Sequence, residues 1–200
     1  MPFIAPKETP SPSTNFYCVR SISTHLGASG LIQKKATQLI QQQKKVLVID
    51  ALLGLKNMQI TNKNEAKMAD FFKGLIPLSE LITTHKGIDI ISGTAHQNIN
   101  ALSSWQQKKI NQDLRLLSLN YDAVLIDEPY NITHPIFDDF GLNYWVVSLD
   151  KKVLLDTLKL ARTAEPHLIL NEKASATQLN DFTLFLKILV PKCHLGTHFA

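Results

Sequence analysis

Residues 16–50 read FYCVRSISTHLGASGLIQKKATQLIQQQKKVLVID, and this stretch decides the fold class. Residues 16–22 and 45–50 are apolar runs of strand length. Between them, residues 30–43 carry apolar side chains at helical spacing, namely Leu31, Ile32, Ala36, Leu39 and Ile40. A strand, a helix and a second strand in this order predict two parallel strands joined by a helix.

The same alternation continues along the rest of the chain. Further strands are predicted at residues 88–93, 121–127, 142–149 and 166–172 and around residues 194–196, and helices at residues 100–120, 150–164 and 175–189. Two short helical segments, residues 64–75 and 78–86, are predicted on either side of Pro77. These elements predict an α/β fold of three layers, helix, sheet and helix, with a mostly parallel sheet of about seven strands. We expect one domain over residues 16–200, preceded by a flexible Pro- and Ser-rich tail at residues 1–15.

The predicted helix at residues 100–120 has a row of apolar side chains. They are Leu102, Trp105, Ile110, Leu114 and Leu117. This spacing predicts one apolar stripe that lies on the sheet.

Composition places the chain among ordinary globular proteins. Its 200 residues are 44% hydrophobic and 19% charged, enough for one continuous core. The formal charge of +4 is modest, and separated lysine pairs favour a solvated helix face over a nucleic-acid surface. Cys18 and Cys193 lack the spacing of a metal site or disulfide framework. No apolar run reaches the roughly 20 residues of a membrane span and no signal peptide is seen, so a cytoplasmic protein is expected.

Small residues fill the turn between the first strand and its helix. Gly27, Ala28, Ser29 and Gly30 could direct successive backbone N–H groups at an anion, and the helix N-terminus adds positive potential. A complete nucleotide loop also needs a lysine for the terminal phosphates and a Ser or Thr for magnesium. The turn therefore has the shape of a phosphate loop without all of its chemistry.

This loop and the motifs after it resemble the MinD/ParA group of deviant Walker A ATPases, most nearly MinD and the flagellar-number regulator FlhG, over about residues 17–198. The resemblance implies a P-loop NTPase-like fold of the SIMIBI type. The group's loop reads K-G-G-V-G-K-[ST], which aligns with His25, Leu26, Gly27, Ala28, Ser29, Gly30 and Leu31. In this alignment His25 and Gly30 replace the two lysines, and Leu31 replaces the magnesium-binding hydroxyl.

Three other segments carry the resemblance. DALLGLKN matches D-x-D-x-G-L-x-N and keeps its first Asp as Asp50, but Leu52 replaces the second, which in the group positions the attacking water. Residues 68–96 resemble the FlhG pattern of a short helix followed by a strand that ends in a Gly turn. YDAVLIDEPYNI places Asp127 at the Walker B carboxylate, and LILNE places Asn171 where the group reads the nucleotide base.

The missing residues indicate that hydrolysis by the group's mechanism is lost. Each lost charge-assisted contact costs about 1.5–3 kcal/mol, and two lysines are absent together. Lys34 and Lys35 follow one turn later on the helix, but Lys34 would have to fold back past Leu31 to reach a phosphate. Glu128, next to Asp127, is expected to cap a loop.

We therefore expect a MinD/FlhG-like protein without ATP hydrolysis, acting as a protein-binding or regulatory module in flagellar placement, cell division or a related positioning process. A protein partner and no cofactor are expected, and a homodimer is left open. One alternative is an ATPase with a non-standard loop, binding ATP or ADP with magnesium held by Asp127. Another is a ParA-like DNA-associated partitioning protein. Membrane attachment through a C-terminal amphipathic helix, as in MinD, is not expected.

Overall fold

The computed structural model describes residues 15–23, 26–50, 70–71, 73–92, 103–129, 140, 142–161 and 166–196. The strands are β1 (Asn15–Ser21), β2 (Val46–Asp50), β3 (Ile82–His85), β4 (Ile88–Ser92), β5 (Ala123–Pro129), β6 (Leu142–Val147), β7 (His167–Leu170) and β8 (His194–Gly196). The helices are α1 (Ala28–Gln41), α2 (Ser104–Ser118), α3 (Lys151–Ala161) and α4 (Ala176–Leu189), with a short 3-10 helix at Leu78–Leu81. None of these helices is both long and apolar enough to cross a membrane.

The described strands form one sheet in the order β3-β4-β2-β5-β1-β6-β7-β8. Every neighbouring pair is parallel except β3 and β4, which are antiparallel. β1 lies between β5 and β6, so the carboxyl ends of β1, β2 and β5 meet at one edge. In sheets of this kind, ligands bind outside that edge. The predicted α/β class with a mostly parallel sheet is confirmed.

Helices cover both faces of the sheet. α1 packs on one face, where its Leu31 and Ile32 join a buried cluster with Val19, Val48 and Leu125. On the opposite face, α2 packs through Leu114 on a cluster that includes Cys18, Leu47, Val124 and Ile126. α3 and α4 contribute Leu154 and Phe182 to a third cluster over β6 and β7. Because side chains alternate along a strand, Leu125 faces α1 and its neighbours face α2.

Two of the helices begin with a capping box. The Ser103 hydroxyl accepts a hydrogen bond from the backbone N–H of Gln106, whose side chain accepts one from the Ser103 N–H. Ser175 and Gln178 repeat the arrangement at the start of α4. Each box satisfies backbone donors that a helix N-terminus otherwise leaves open. α1 differs, since its N-cap is Gly27 and no side chain caps it.

The predicted helical segment at residues 78–86 is wrong in its second half. After the 3-10 turn, Ile82–His85 form β3, which pairs with β4 in register His85 to Ile88. The two residues of the turn, Lys86 and Gly87, have φ angles of 50° and 80°, as a tight hairpin of the I′ type requires. Ile82 and the two threonines are β-branched, which favours a strand. This hairpin supplies the eighth strand, one more than predicted.

Trp105 was predicted on the buried stripe of its helix and is instead 59% exposed. Leu114 is buried, and Ile110 and Leu117 are partly buried against it. Trp105 precedes Ile110 by five residues, which turns it about 140° around the helix axis. Leu102, most of residues 64–75 and most of the predicted tail at 1–15 lie outside the described residues.

Candidate functional site

Local hydrogen bonds hold the described residues of the loop between β1 and α1. The Ser21 hydroxyl donates to the carbonyl of Ser23 at 2.8 Å, and the Leu26 N–H donates to the same carbonyl at 3.3 Å. Gly27 then takes the left-handed conformation, with φ 76° and ψ 27°, and its carbonyl accepts the first hydrogen bond of α1, from the Leu31 N–H, at 3.1 Å. The helix N-terminus therefore starts directly after Gly27.

Asn171 ties this loop to the end of β7. Its side-chain amide donates to the carbonyl of Leu26 at 2.8 Å, with the Gly27 carbonyl at 3.5 Å. A Cβ added to Gly27 would lie 2.5 Å from the Asn171 Nδ2 atom, closer than real atoms approach. Gly27 is thus required both by its φ angle and by the amide that packs against it.

Two acidic residues stand side by side at the carboxyl edge of the sheet. Asp50 ends β2 and is in register with Asp127 of β5. Both side chains are on the α1 face, and Asp127 is completely buried. Neither carboxylate oxygen of Asp127 has a hydrogen-bond partner in the described structure. Burial therefore raises the pKa of Asp127 from 3.8 to about 6.

Ser29, on the first turn of α1, interacts with this carboxyl. Its hydroxyl acts to lower the pKa of Asp127, in opposition to the larger effect of burial. The Ser29 hydroxyl does not make a hydrogen bond of full geometry with Asp127, and both carboxylate oxygens lack a hydrogen-bond partner in the described structure. The first turn of α1 thus brings a hydroxyl to the end of the central strand.

Similar solved structures exist, although no family model and no curated protein matches the chain. A chain of the MinC:MinD cell division protein complex from Aquifex aeolicus superposes with a TM-score of 0.68 at 18% identity, covering 90% of this chain and 79% of that one. A ParA family ATPase from Chlorobium tepidum gives 0.69 at 16% identity, covering 91% and 83%. A putative plasmid partition protein from Borrelia burgdorferi, bound to AMPPNP, gives 0.66 at 16%, covering 90% and 82%. This chain has the MinD/ParA-type fold.

The MinD/ParA-type loop residues predicted from sequence fall in different surroundings. Ala28 and Leu31 are buried among the apolar side chains under α1. Gly30 is exposed on the first turn, with open space where a side chain would project. Ser29 faces Asp127. The structure therefore brings Ser29, Asp50, Asp127 and Asn171 to one edge and sends Leu31 into the core.

His25 and Leu52 lie outside the described residues, as do Gly54, Leu55 and Asn57 of the predicted D-x-D-x-G-L-x-N segment. Their predicted places in the MinD/ParA pattern stay predictions. Within the residues that are described, no group of three or more His, Cys, Asp or Glu side chains is arranged to hold a metal ion.

The basic side chains near the loop point elsewhere. Lys35 lies over the ring of Tyr17, 5.5 Å from its centroid, near the amino end of β1. Lys34 is exposed on the second turn of α1. Arg20, near the carboxyl end of β1, is on the opposite face of the sheet, where it pairs with Glu128. Neither Lys35 nor Arg20 supplies charge to a phosphate at the loop.

Glu128 belongs to a buried polar cluster that the sequence reasoning missed. It was predicted to cap a loop, but it is 1% exposed and accepts hydrogen bonds from Arg20 Nε and, at 3.0 Å, from Cys18 Sγ. The Arg20 guanidinium also lies 5.6 Å from the ring centroid of Trp145. Burial, followed by the charge of Glu128, raises the pKa of Cys18 well above its usual value, so this thiol is unreactive. The sequence feature that could have predicted this cluster is Arg20, a charged residue inside the apolar run of β1.

Proposed function

We propose that this protein keeps the MinD/ParA-type fold as a protein-binding or regulatory module and does not hydrolyse ATP. The observation that supports this proposal most strongly is the loop itself. It has the backbone turn and the helix N-terminus of a phosphate site, but no lysine at either position where the group has one. Both lysines are also absent in a second alignment, in which the group's motif is moved two residues toward the N-terminus of this chain.

The geometry favours an alignment shifted by two residues from the one read from the sequence. In the motif, the lysine and the hydroxyl residue directly follow the last glycine. In the structure, the glycine that opens α1 is Gly27, and Ala28 and Ser29 follow it. We infer that Ala28 stands at the lysine position and Ser29 at the hydroxyl position, with Ser23 at the first lysine. The burial of Leu31 in the core agrees with this register.

The absence of both lysines has a large energetic effect. Two charge-assisted contacts at about 1.5–3 kcal/mol each amount to roughly 3–6 kcal/mol. At 1.4 kcal/mol per tenfold, affinity for a nucleoside triphosphate falls by about 100-fold to 20,000-fold. The residues described at the edge contribute two carboxylates, Asp50 and Asp127, which could hold magnesium but supply no positive charge to the phosphates.

Isothermal titration with ATP and ADP, with and without magnesium, tests the proposal. We expect no binding in the micromolar range. Two lysine substitutions test the register. Ala28→Lys should bind nucleotide better than Gly30→Lys, because only Ala28→Lys places the ammonium directly after Gly27. Micromolar binding by the unmodified protein would contradict a nucleotide-free role.

One observation favours a second candidate, an ATPase with a non-standard loop. Ser29 beside Asp127 keeps the hydroxyl and the carboxylate that would hold magnesium in such a site. This version predicts measurable phosphate release that Asp127→Ala abolishes. Absence of release from the unmodified protein, alone and with candidate partners, rules against it.

The cellular role is proposed as cell division, flagellar placement or a related positioning process, through a protein partner. The similarity to the MinC:MinD cell division complex supports a protein partner. Division-site position and flagellar number in a deletion strain test the process. Sedimentation tests a homodimer, and a gel shift at low salt tests the DNA-associated alternative suggested by the partition protein.

A further inference from the structure

α2 carries a second apolar line on the side away from the sheet. Its inner residues pack on the core, whereas Trp105, Leu116 and Leu119 are 59%, 67% and 68% exposed. Together with Lys108 and Gln112 they are spaced by three or four residues, so all five follow one line along the helix. We call these five residues the α2 outer stripe. It is about 21 Å long at 1.5 Å per residue.

Three large apolar side chains on one helical line differ from ordinary exposed residues. Single exposed leucines are normal on a protein surface, but several large exposed apolar side chains along one helical line indicate an interaction surface. A line with heptad-like spacing suits a second helix, whose side chains would fit between those of α2. The shape of the surface therefore indicates a helical occupant of about four turns.

The charge beside the stripe is positive. Lys108 is exposed on the stripe, and Arg115 is exposed beside it with its guanidinium 4.5 Å from the ring centroid of Phe140. Asp113 is the acidic residue of α2, and it is turned toward Lys109, whose Nζ is 2.9 Å from its carboxylate. The outward side of α2 therefore offers apolar contacts flanked by basic groups, which complement a partner of negative charge.

We propose that the α2 outer stripe binds an amphipathic helix of a partner protein, with apolar residues along one line and acidic residues beside it. This inference rests on the proposed role of the protein as a protein-binding module. The surface belongs to the face opposite α1, so it is separate from the loop and Asp127.

A second copy of this chain fits the stripe less well. Two antiparallel α2 helices crossing at Gln112 would place Lys108 of one copy against Leu116 of the other, and burying an ammonium against an apolar side chain is costly. A lipid surface also fits less well, because Lys108 and Gln112 interrupt the apolar line. Burying their polar groups in hydrocarbon without partners is costly.

Peptide binding measured by fluorescence anisotropy tests the proposal. The probe is a fluorescein-labelled 21-residue amphipathic helix with leucines at the a and d heptad positions and glutamates at the e and g positions; a second peptide has lysines in place of the glutamates. We expect the full-length protein to bind the glutamate peptide at least about tenfold more tightly than the lysine peptide. Leu116→Ser with Leu119→Ser should weaken binding of the glutamate peptide at least about tenfold. Lys108→Glu with Arg115→Glu should reverse the preference between the peptides.

α4 offers a matched control. Leu184 and Ile188 are 63% and 72% exposed at helical spacing on the same face of the sheet. Leu184→Ser with Ile188→Ser should leave peptide binding unchanged. An equal loss in this control would show nonspecific apolar contact and would overturn the proposal.

Other outcomes also overturn it. The glutamate peptide could fail to bind, or the two peptides could bind equally well. The protein could instead bind phosphatidylserine vesicles, or form a concentration-dependent dimer, in a way that requires Leu116 and Leu119. The vesicle result would assign the stripe to a membrane, and the dimer result to a second copy. The nucleotide titration tests the loop and Asp127 on the α1 face, and peptide binding tests the stripe on the α2 face. If the protein did bind nucleotide, the peptide result would therefore be unaffected.

Discussion

Replacing Asp127 by asparagine should stabilise the protein at neutral pH. The carboxyl is completely buried and neither oxygen is hydrogen bonded in the described structure, so its ionised form is poorly solvated. Burial raises its pKa from 3.8 to about 6. At 1.36 kcal/mol per pKa unit, keeping this group ionised in the folded state costs about 3 kcal/mol. Asparagine has nearly the same shape and no charge, so it removes that cost.

The effect has a defined pH dependence. The folded protein binds the Asp127 proton more tightly than the unfolded chain does, because the folded pKa is about 6 and the ordinary value is 3.8. The stabilisation that comes from this proton is complete below pH 3.8 and is lost as the pH rises through about 6. The advantage of Asp127→Asn should therefore be about 3 kcal/mol at pH 7.5 and should shrink toward zero near pH 4.

Urea unfolding at pH 7.5, 6 and 4.5 measures this difference. In thermal melts at pH 7.5 it corresponds to a rise in Tm of roughly 6–12 °C for a chain of this size. Asp181→Asn, which changes an exposed carboxylate on α4, is the control and should have little effect. If Asp127→Asn is no more stable than the unmodified protein at pH 7.5, or if its gain is the same at every pH, the reasoning from burial is wrong.

Three further predictions concern other parts of the fold and are tested by urea unfolding. Gly27→Ala should destabilise the protein by about 1–3 kcal/mol, because it forces alanine into a left-handed φ and against the Asn171 amide. Gly30→Ala, in an exposed helix position, should stabilise the protein by about 0.5–1 kcal/mol. Equal effects of the two substitutions would contradict the conformational role given to Gly27. Glu128→Gln should cost about 3–5 kcal/mol because it leaves the Arg20 charge buried without its carboxylate, and adding Arg20→Met should recover much of that loss; no recovery would argue against the ion pair. Ser175→Ala should cost about 1 kcal/mol through loss of the α4 cap, and an unchanged stability would refute that estimate.

The sequence was sufficient for the architecture because the architecture depends on local patterns. Strand-length apolar runs alternate with helical spacing, and this order determined the parallel sheet. β3 escaped prediction because its four residues were assigned to the same helical segment as Leu78–Leu81, whereas its pairing depends on the Lys86–Gly87 turn and on β4. Trp105 was assigned to the buried stripe because it lies three residues after Leu102, although its spacing from Ile110 and from Leu114 turns it away from both around the helix axis.

Prediction of the site was limited by contacts between distant residues. Asp50, Asp127 and Asn171 were identified from the resemblance to the MinD/ParA motifs, and the structure places all three at the loop edge. The approach of Ser29 to Asp127 joins residues far apart in the chain, so no local pattern reveals it. The register of the loop was ambiguous for a related reason. Gly27 and Gly30 look equivalent in sequence, and only the backbone conformation of Gly27 separates them.

The position of β1 in the sheet affects how the chain folds during synthesis. β1 is the earliest strand of the described sheet, but both of its neighbours, β5 and β6, come about 100 residues later. At about 5–20 residues per second, the ribosome needs roughly 5–20 s to make them. During this time β1 has neither of its native neighbours, and its apolar residues and both backbone edges are open to other chains. The strand that lies at the centre of the finished sheet is therefore exposed to association with other chains while the protein is being made.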